Sequence, residues 1–130
     1  MEKKKIVVFG ATGTLGLYTT DYLAAKLPDE YEVVATGRRP VAFFEEKYPG
    51  KVTYVQVNID DETSFSTLPS ERVFAVVHFA GALPAYMEGY DPRSYVRSNV
   101  MGTLNVLEYA RRSGATRIIY TQTISDYDGY

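Results

Sequence analysis

Three glycines at positions 10, 13 and 16 have the types and spacing most suited to chemistry in this chain. They follow a short apolar run, residues 5–9, whose β-branched side chains are typical of a buried parallel strand. Gly10 allows a sharp turn, and Gly16 allows close packing between helix and sheet. Gly13 lacks a Cβ, so a pyrophosphate can approach the N–H groups and positive dipole end of the following helix. The spacing predicts a dinucleotide-phosphate site; the alternative is an ordinary strand-to-helix turn.

The elements that must position these glycines are both predicted. The strand is the apolar run, and the helix follows from Leu15, Thr19, Tyr22 and Leu23, which recur at helical spacing and form one face. Pro28 is placed to end that helix. The glycines therefore lie in a strand-turn-helix context, which favours the phosphate site.

Strand-like and helix-like patterns alternate along the chain. Strands are predicted over residues 5–9, 32–36, 52–57, 73–79 and 117–121, and further helices over residues 41–48, 62–68 and 92–113. Right-handed crossovers give a doubly wound, Rossmann-like parallel sheet of order 3-2-1-4-5 with helices on both faces.

The helix over residues 92–113 has the clearest boundaries. Asp91 is a good N-cap, Pro92 suits the first helical position, and Gly114 can end the helix. We expect its apolar face to be the stripe formed by Val96, Val100, Leu104 and Leu107.

Composition limits the function classes. The chain has 130 residues, which predicts one domain. Its net charge of −2 does not indicate the basic surface that binds nucleic acids. It has no cysteine and one histidine, which argues against disulfides and against a zinc or other metal site. No apolar run reaches transmembrane length, and the lysines at positions 3–5 are not followed by the apolar segment of a targeting signal. A cytoplasmic protein is expected.

Four segments in this order resemble the extended short-chain dehydrogenase/reductase family, which includes nucleotide-sugar epimerases and dehydratases. They are residues 10–16 (GATGTLG), 76–81 (VVHFAG), 99–107 (NVMGTLNVL) and 118–127 (IIYTQTISDY). The resemblance runs almost end to end and implies an NAD(P)-binding domain.

The resemblance also implies roles for individual residues. Phe79, Ala80 and Gly81 match the segment whose small residues let the backbone run beside the cofactor's ribose and nicotinamide, although a tight strand exit would use them too. Asn99 matches an asparagine of the active-site and cofactor hydrogen-bond network; the alternative is a solvated helix residue. The glycine-loop positions implied to contact the cofactor are Gly10, Thr12, Gly13, Thr14, Leu15 and Gly16.

Cofactor choice is expected at the end of the second strand. Relatives that use NAD place an acid there, whereas this chain has Gly37 followed by Arg38 and Arg39. A guanidinium can pair with a 2′-phosphate, so the sequence favours NADP over NAD, unless both arginines are solvated loop charges. Asn58 and Ile59 match the family's adenine contact, with an amide in place of its first acid.

Catalysis in this family needs a hydroxyl after the fifth strand and a later Tyr-x-x-x-Lys pair. Thr123 matches the hydroxyl, although threonine is also common in strands. Tyr127 and Tyr130 follow too closely and have no lysine four residues on, and Tyr22 with Lys26 fits the spacing in the wrong helix. The lone His78 is expected to be packed rather than catalytic. We therefore predict that this chain is the amino-terminal, cofactor-binding part of a longer protein and that it is inactive alone. It is either a shortened form of that protein or a natural fragment of it.

The partners implied are a dinucleotide and, in a full-length relative, a nucleotide-linked sugar or similar hydroxylated substrate; a homodimer is possible. Two alternatives stay open. One is a non-catalytic binding or sensor module that pairs its sheet edge, residues 117–121, with another chain, aided by Tyr86, Tyr90 and Tyr95. The other is a structural α/β domain without a ligand.

Overall fold

A five-stranded, all-parallel sheet forms the centre of the computed structural model, which describes residues 2–48, 52–82, 89 and 91–122. The strand order is β3-β2-β1-β4-β5, which confirms the predicted topology. The strands are β1 (Lys4–Phe9), β2 (Tyr31–Gly37), β3 (Thr53–Gln56), β4 (Val73–His78) and β5 (Arg117–Tyr120).

Helical segments connect the strands. They are α1 (Thr14–Lys26), α2 (Val41–Lys47), a 3-10 helix (Glu62–Thr67), α3 (Pro92–Tyr95), a π-helical segment (Val96–Met101) and α4 (Gly102–Arg112). The last three are consecutive and replace the single α-helix predicted there. The Asp91 carboxylate accepts a hydrogen bond from the Arg93 N–H at 3.1 Å, and Gly114 has a φ of +71°, which confirms both predicted ends of that stretch.

The core lies in two layers, one on each face of the sheet. On one face, Phe9 of β1 packs against Phe65 of the 3-10 helix and Tyr109 of α4, with ring centroids 5.5 and 5.8 Å apart. On the other face, Phe44 of α2 stacks against Tyr48 and Tyr54. Because β1 is buried on both faces, its run of apolar residues is continuous rather than alternating.

The predicted inner face of α1 was wrong in part. Leu15 and Tyr22 are 58% and 65% exposed, while Gly16 and Thr20 are buried against the sheet. A Cβ built on Gly16 would lie 2.6 Å from the Ala11 Cα, so the backbone of α1 approaches the glycine loop too closely for a larger side chain there.

The predicted inner stripe of the last helix was also wrong. All four of its residues are between 44% and 59% exposed: Val96, Val100, Leu104 and Leu107. α4 instead buries Gly102, Val106, Tyr109 and Ala110. The glycine lets α4 pack closely against the segment that follows β3, since a Cβ on it would lie 2.7 Å from the Ile59 side chain.

Within the part of the chain described, no helix is both long enough and apolar enough to cross a membrane.

Candidate functional site

A cleft of about 200 Å³ lies at the carboxyl ends of β1, β2, β3 and β4. In the sheet, β2 and β3 lie on one side of β1, and β4 and β5 lie on its other side. The strand order therefore reverses between β1 and β4, beside this cleft. Open α/β sheets bind ligands at such a switch point. The lining residues are Gly10, Thr12, Gly13, Thr36, Gly37, Arg38, Val57, Asn58, Ile59, Asp60, Phe79, Ala80, Gly81, Ala82 and Ser98.

The glycine loop forms the floor of the cleft. Gly10 has a φ of +78°, and a Cβ on it would lie 2.7 Å from the Ala80 backbone N, so both its conformation and its surroundings require glycine. At Gly13 the nearest heavy atom to a built Cβ is the Gly10 carbonyl oxygen at 3.5 Å, which leaves space on the cleft side. Gly16 lies behind the loop and packs against it.

Gly13 is also the N-cap residue of α1, and no described side chain caps this helix. The N–H groups in the first turn of a helix lack acceptors within the helix. Thr14 and Leu15 begin this turn, and neither is among the residues that line the cleft, so we expect their backbone N–H groups to serve a ligand. The arrangement suits an anion at the helix N-terminus.

Arg38 and Arg39 follow β2 and have different surroundings. Arg38 lines the cleft. The guanidinium of Arg39 lies 4.5 Å from the centroid of the Phe43 ring, outside the lining. Two β3 side chains hold the backbone here: the Tyr54 hydroxyl donates to the Arg39 carbonyl at 2.7 Å, and the Gln56 amide donates to the Arg38 carbonyl at 3.0 Å.

The β3 exit loop, residues 57–60, forms one lip of the cleft. The Asn58 Oδ1 accepts a hydrogen bond from the Asp60 N–H at 3.1 Å, and a carbonyl oxygen has a second lone pair for an external donor. The Asp60 carboxylate accepts from the Ser98 hydroxyl at 2.8 Å, and the Asn105 amide donates to the Ile59 carbonyl at 2.8 Å. The Ser98 and Asn105 side chains of the last helical stretch therefore hold this loop in place.

The β4 exit loop, residues 79–82, forms the opposite lip. Its backbone continues from β4 through Phe79, whose N–H donates to the Phe9 carbonyl at 2.9 Å, to Gly81 and Ala82. The Asn99 Oδ1 accepts from the Ala82 N–H at 2.8 Å, and its Nδ2 donates to the Ala82 carbonyl at 3.0 Å. The Asn99 carboxamide thus binds the loop rather than lining the cleft.

His78 lies at the end of β4, outside the cleft lining, and is 2% exposed. Its Nε2 lies 3.0 Å from the Thr103 hydroxyl oxygen, and its ring packs edge-on against Phe9. Burial lowers the pKa of His78 from its usual value near 6.5. A neutral, packed histidine fits this position.

Six residues that line the cleft were not among the predicted cofactor contacts: Thr36, Gly37, Val57, Asp60, Ala82 and Ser98. Asp60 follows directly on the matched pair Asn58 and Ile59, and Ser98 directly precedes Asn99, so adjacency to the named residues was the available signal. Thr123, the predicted catalytic hydroxyl, lies outside the described residues, as do Tyr127 and Tyr130.

Comparisons with known proteins agree with this geometry. The family model described as NAD dependent epimerase/dehydratase family matches residues 6–129. The UDP-glucose 4-epimerase of Erwinia amylovora is 29% identical over 126 residues, covering 94% of this chain and 37% of that protein.

Solved structures give the same result. A crystal structure of UDP-galactose 4-epimerase superimposes with a TM-score of 0.75 at 26% identity, covering 95% of this chain and 39% of that one. The Bordetella bronchiseptica enzyme WbmH in complex with NAD+ has the same fold, with a TM-score of 0.73 at 24% identity over 99% of this chain and 42% of that one.

The chain therefore spans well under half the length of the relatives it matches. Its five-stranded fold resembles the amino-terminal, NAD-binding part of these relatives. With a family match over nearly its whole length, the chain belongs to the NAD dependent epimerase/dehydratase family.

Proposed function

We propose that the cleft binds NAD(P), with the cofactor's pyrophosphate against Gly13 and the first turn of α1. One observation carries this proposal: the cleft opens on an uncapped helix N-terminus at a glycine whose missing side chain leaves space. A pyrophosphate supplies the acceptors that the backbone N–H groups of this turn need, and its charge is favoured by the helix dipole.

The adenosine half of the dinucleotide would lie over β2 and β3. Asn58 offers its carbonyl oxygen to the adenine amino group, and Ile59 lies beside it in the same lip. We propose that NADP binds more tightly than NAD, because Gly37 stands where relatives that use NAD have an acid, and the next residue, Arg38, lines the cleft with a guanidinium that can pair with the 2′-phosphate. Arg38 is the better candidate of the two arginines, because it lines the cleft while the Arg39 guanidinium lies over the Phe43 ring.

Calorimetric titration with NAD and NADP at low salt tests both statements, with Gly13→Asp as the decisive variant. Aspartate is favoured at an N-cap with extended backbone, and Gly13 has φ −81° and ψ 177°, so this variant should fold while placing a carboxylate at the phosphate site. We expect it to lose binding of both dinucleotides. Gly13→Ser is the matched control, because serine is also favoured at an N-cap but carries no charge.

A Gly13→Asp protein that folds and binds NADP as well as the parent would refute the phosphate site. Tighter binding of NAD than NADP by the parent would leave that site intact and refute the role of Arg38.

We further propose that in a longer protein this part serves an epimerase, dehydratase or reductase that acts by hydride transfer on a nucleotide-linked sugar or similar hydroxylated substrate. The similarity to UDP-glucose 4-epimerase over the amino-terminal part supports this class. The cofactor supplies the hydride chemistry, and the Thr123 hydroxyl would contact the substrate. The 130-residue chain should show no turnover, since no lysine follows Thr123. Measurable turnover would contradict this; dinucleotide binding without turnover in any longer form would favour the non-catalytic binding module.

Self-association is proposed through the outer face of the last helical stretch. Val96, Val100, Leu104 and Leu107 form an exposed apolar stripe along it. Homodimer interfaces are more apolar than the remaining surface, and a second copy of the same stripe would cover this one.

A further inference from the structure

Gly37, the last residue of β2, is a glycine that its own backbone conformation does not require. Gly10 has a φ of +78°, whereas the φ of Gly37 is not positive. Gly37 pairs with Gln56 of β3, and its carbonyl accepts a hydrogen bond from the Val57 N–H at 2.9 Å, as in a regular strand. Glycine weakens a strand, and its presence there often marks a close approach by other atoms.

Two side chains lie in the space next to Gly37. A Cβ built on Gly37 would lie 2.9 Å from both the Cγ2 and the Oγ1 of Thr12, and 3.1 Å from the Tyr54 hydroxyl oxygen. Carbon atoms in favourable contact are about 3.5–4.0 Å apart. Even the single methyl group of an alanine at position 37 would therefore clash, and it would clash most closely with Thr12.

Tyr54 forms a fixed wall on one side of this space. Its hydroxyl donates to the Arg39 carbonyl at 2.7 Å, and its ring stacks on the Phe44 ring with centroids 4.7 Å apart. Phe44 is buried in the core, so the stack cannot shift without disturbing the packing of α2. A side chain at position 37 would have to find its space on the Thr12 side.

Thr12 cannot provide that space by changing its rotamer. The N–H of the preceding residue, Ala11, donates to the Thr36 carbonyl at 2.9 Å, which ties the glycine loop to β2. The Thr12 Cβ has three staggered positions, and the two that meet position 37 are occupied by Cγ2 and Oγ1. Because its hydrogen can fill only one of these two positions, each rotamer leaves at least one heavy atom there.

Position 37 matters for the cofactor because of its place at the end of the second strand. In dinucleotide-binding sheets, an acid that follows the glycine motif accepts a hydrogen bond from the ribose of NAD, whereas a nearby arginine accommodates the 2′-phosphate of NADP. A carboxylate in that place would also repel the phosphate. Thr12, Gly37 and Arg38 line the same cleft, so a change at one of them affects the surroundings of the others.

We propose that Thr12 is a specificity-determining residue. Its side chain fills the space that a side chain at position 37 would need, and so keeps a carboxylate away from the adenosine ribose. The preference for NADP is then determined jointly by the glycine loop and the end of β2, and a substitution at position 37 alone cannot reverse it. This inference rests on the proposed binding of NAD(P) in the cleft.

Calorimetric titration of two variants with NAD and NADP tests the role of Thr12. Gly37→Asp alone should weaken both dinucleotides roughly tenfold or more, because the new side chain clashes with Thr12 and displaces the glycine loop. In Thr12→Ala/Gly37→Asp both clashing Thr12 atoms are gone, so the carboxylate can accept from the ribose. This double variant should bind NAD at least roughly tenfold more tightly than Gly37→Asp does, and more tightly than it binds NADP.

Two results would overturn the role of Thr12. One is a Gly37→Asp protein that binds NAD as tightly as the double variant does, since the acid would then fit beside Thr12. The other is a folded double variant that binds NAD no better than Gly37→Asp, since a different contact would then exclude the acid.

If Gly37→Asp fails to fold, Gly37→Ala tests the clash alone by urea unfolding. Gly37→Ala should lower the unfolding midpoint, and this loss should be smaller in a Thr12→Ala background. Gly81→Ala is the matched control from the same cleft. A Cβ on Gly81 would meet the Asn99 Oδ1 at 2.9 Å and not Thr12, so its loss should be equal in both backgrounds. Equal losses for Gly37→Ala in both backgrounds would overturn the proposal.

Failure of the proposed function gives a different result. The parent chain would then bind neither NAD nor NADP, while the coupling between positions 12 and 37 in urea unfolding would remain. A parent chain that binds NADP but shows no such coupling would refute the role of Thr12 and leave the proposed function intact.

Discussion

Arg38 and Arg39 are adjacent, yet their guanidinium groups face different surroundings. Arg38 lines the cleft, and Arg39 lies over the Phe43 ring. We expect Arg38→Ala to weaken NADP roughly tenfold while leaving NAD within about twofold, because the lost charge-assisted pair involves only the 2′-phosphate. Arg39→Ala should leave the ratio of the two affinities unchanged. Fluorescence titration of both variants with both dinucleotides measures this, and a larger effect at Arg39 would contradict the assignment.

His78 gives the protein a defined sensitivity to acid. Burial lowers the pKa of His78 in the folded state, so its unfolded form, with a pKa near 6.5, takes up a proton first as the pH falls. The contribution of neutral His78 is fully present above that value, and the free energy of unfolding should decrease as the pH drops from about 7 to 5. Urea unfolding across this range measures the slope.

The variant His78→Gln removes this titration and should flatten the slope between these pH values. Equal slopes in the parent and the variant would show that other groups control the acid sensitivity.

At the level of single elements, α1 carries a buried hydroxyl. Thr20 is fully buried, and its Oγ1 has no hydrogen-bond partner among the described residues. An unsatisfied buried hydroxyl costs about 1–3 kcal/mol, and valine has nearly the same shape. Thr20→Val should therefore raise the free energy of unfolding by about 1 kcal/mol, measured by chemical denaturation. Thr19→Val, at a less buried neighbour, is the control, and a loss of stability in Thr20→Val would refute the argument.

The positions of the strands and of most helical segments could be predicted from the sequence because local patterns control them, and the strand order followed from the right-handed crossover rule. The apolar runs can be recognised without knowledge of tertiary contacts. The same is true of the residues that begin or end elements: Gly10, Asp91, Pro92 and Gly114. The inner faces of the helices could not be predicted in the same way. A periodicity argument assigns large apolar residues to the core, whereas α1 buries Gly16 against the glycine loop and α4 buries Gly102 against the Ile59 side chain.

The candidate site was predicted in part for a similar reason. Gly10, Gly13 and Arg38 belong to local sequence patterns, and all three line the cleft. The contact between Ser98 and Asp60 joins residues 38 positions apart. Contacts of that range depend on how the helical stretch packs over the sheet, which a single sequence does not specify.

At the scale of the whole molecule, exposed apolar side chains concentrate on the outer face of the last helical stretch. If two copies associate through this face, Leu104→Glu places a charge in the interface and should convert a dimer to a monomer. Light scattering over a concentration series measures the mass. Tyr18→Glu, on the exposed face of α1, is the control and should leave the mass unchanged. A parent chain that stays monomeric at all concentrations would contradict the proposed self-association.

The β3 side chains that hold the loop after β2 also affect how this protein could change over evolutionary time. Tyr54 and Gln56 bind the carbonyl groups of Arg39 and Arg38, which every amino acid possesses, and leave the Arg38 side chain out of the loop's own support. The loop can therefore keep its path whatever residue occupies position 38. If Arg38 binds the 2′-phosphate as proposed, substitutions at position 38 should change the preference between NAD and NADP while this loop keeps its path, so the choice of cofactor could change over evolutionary time without a change of fold.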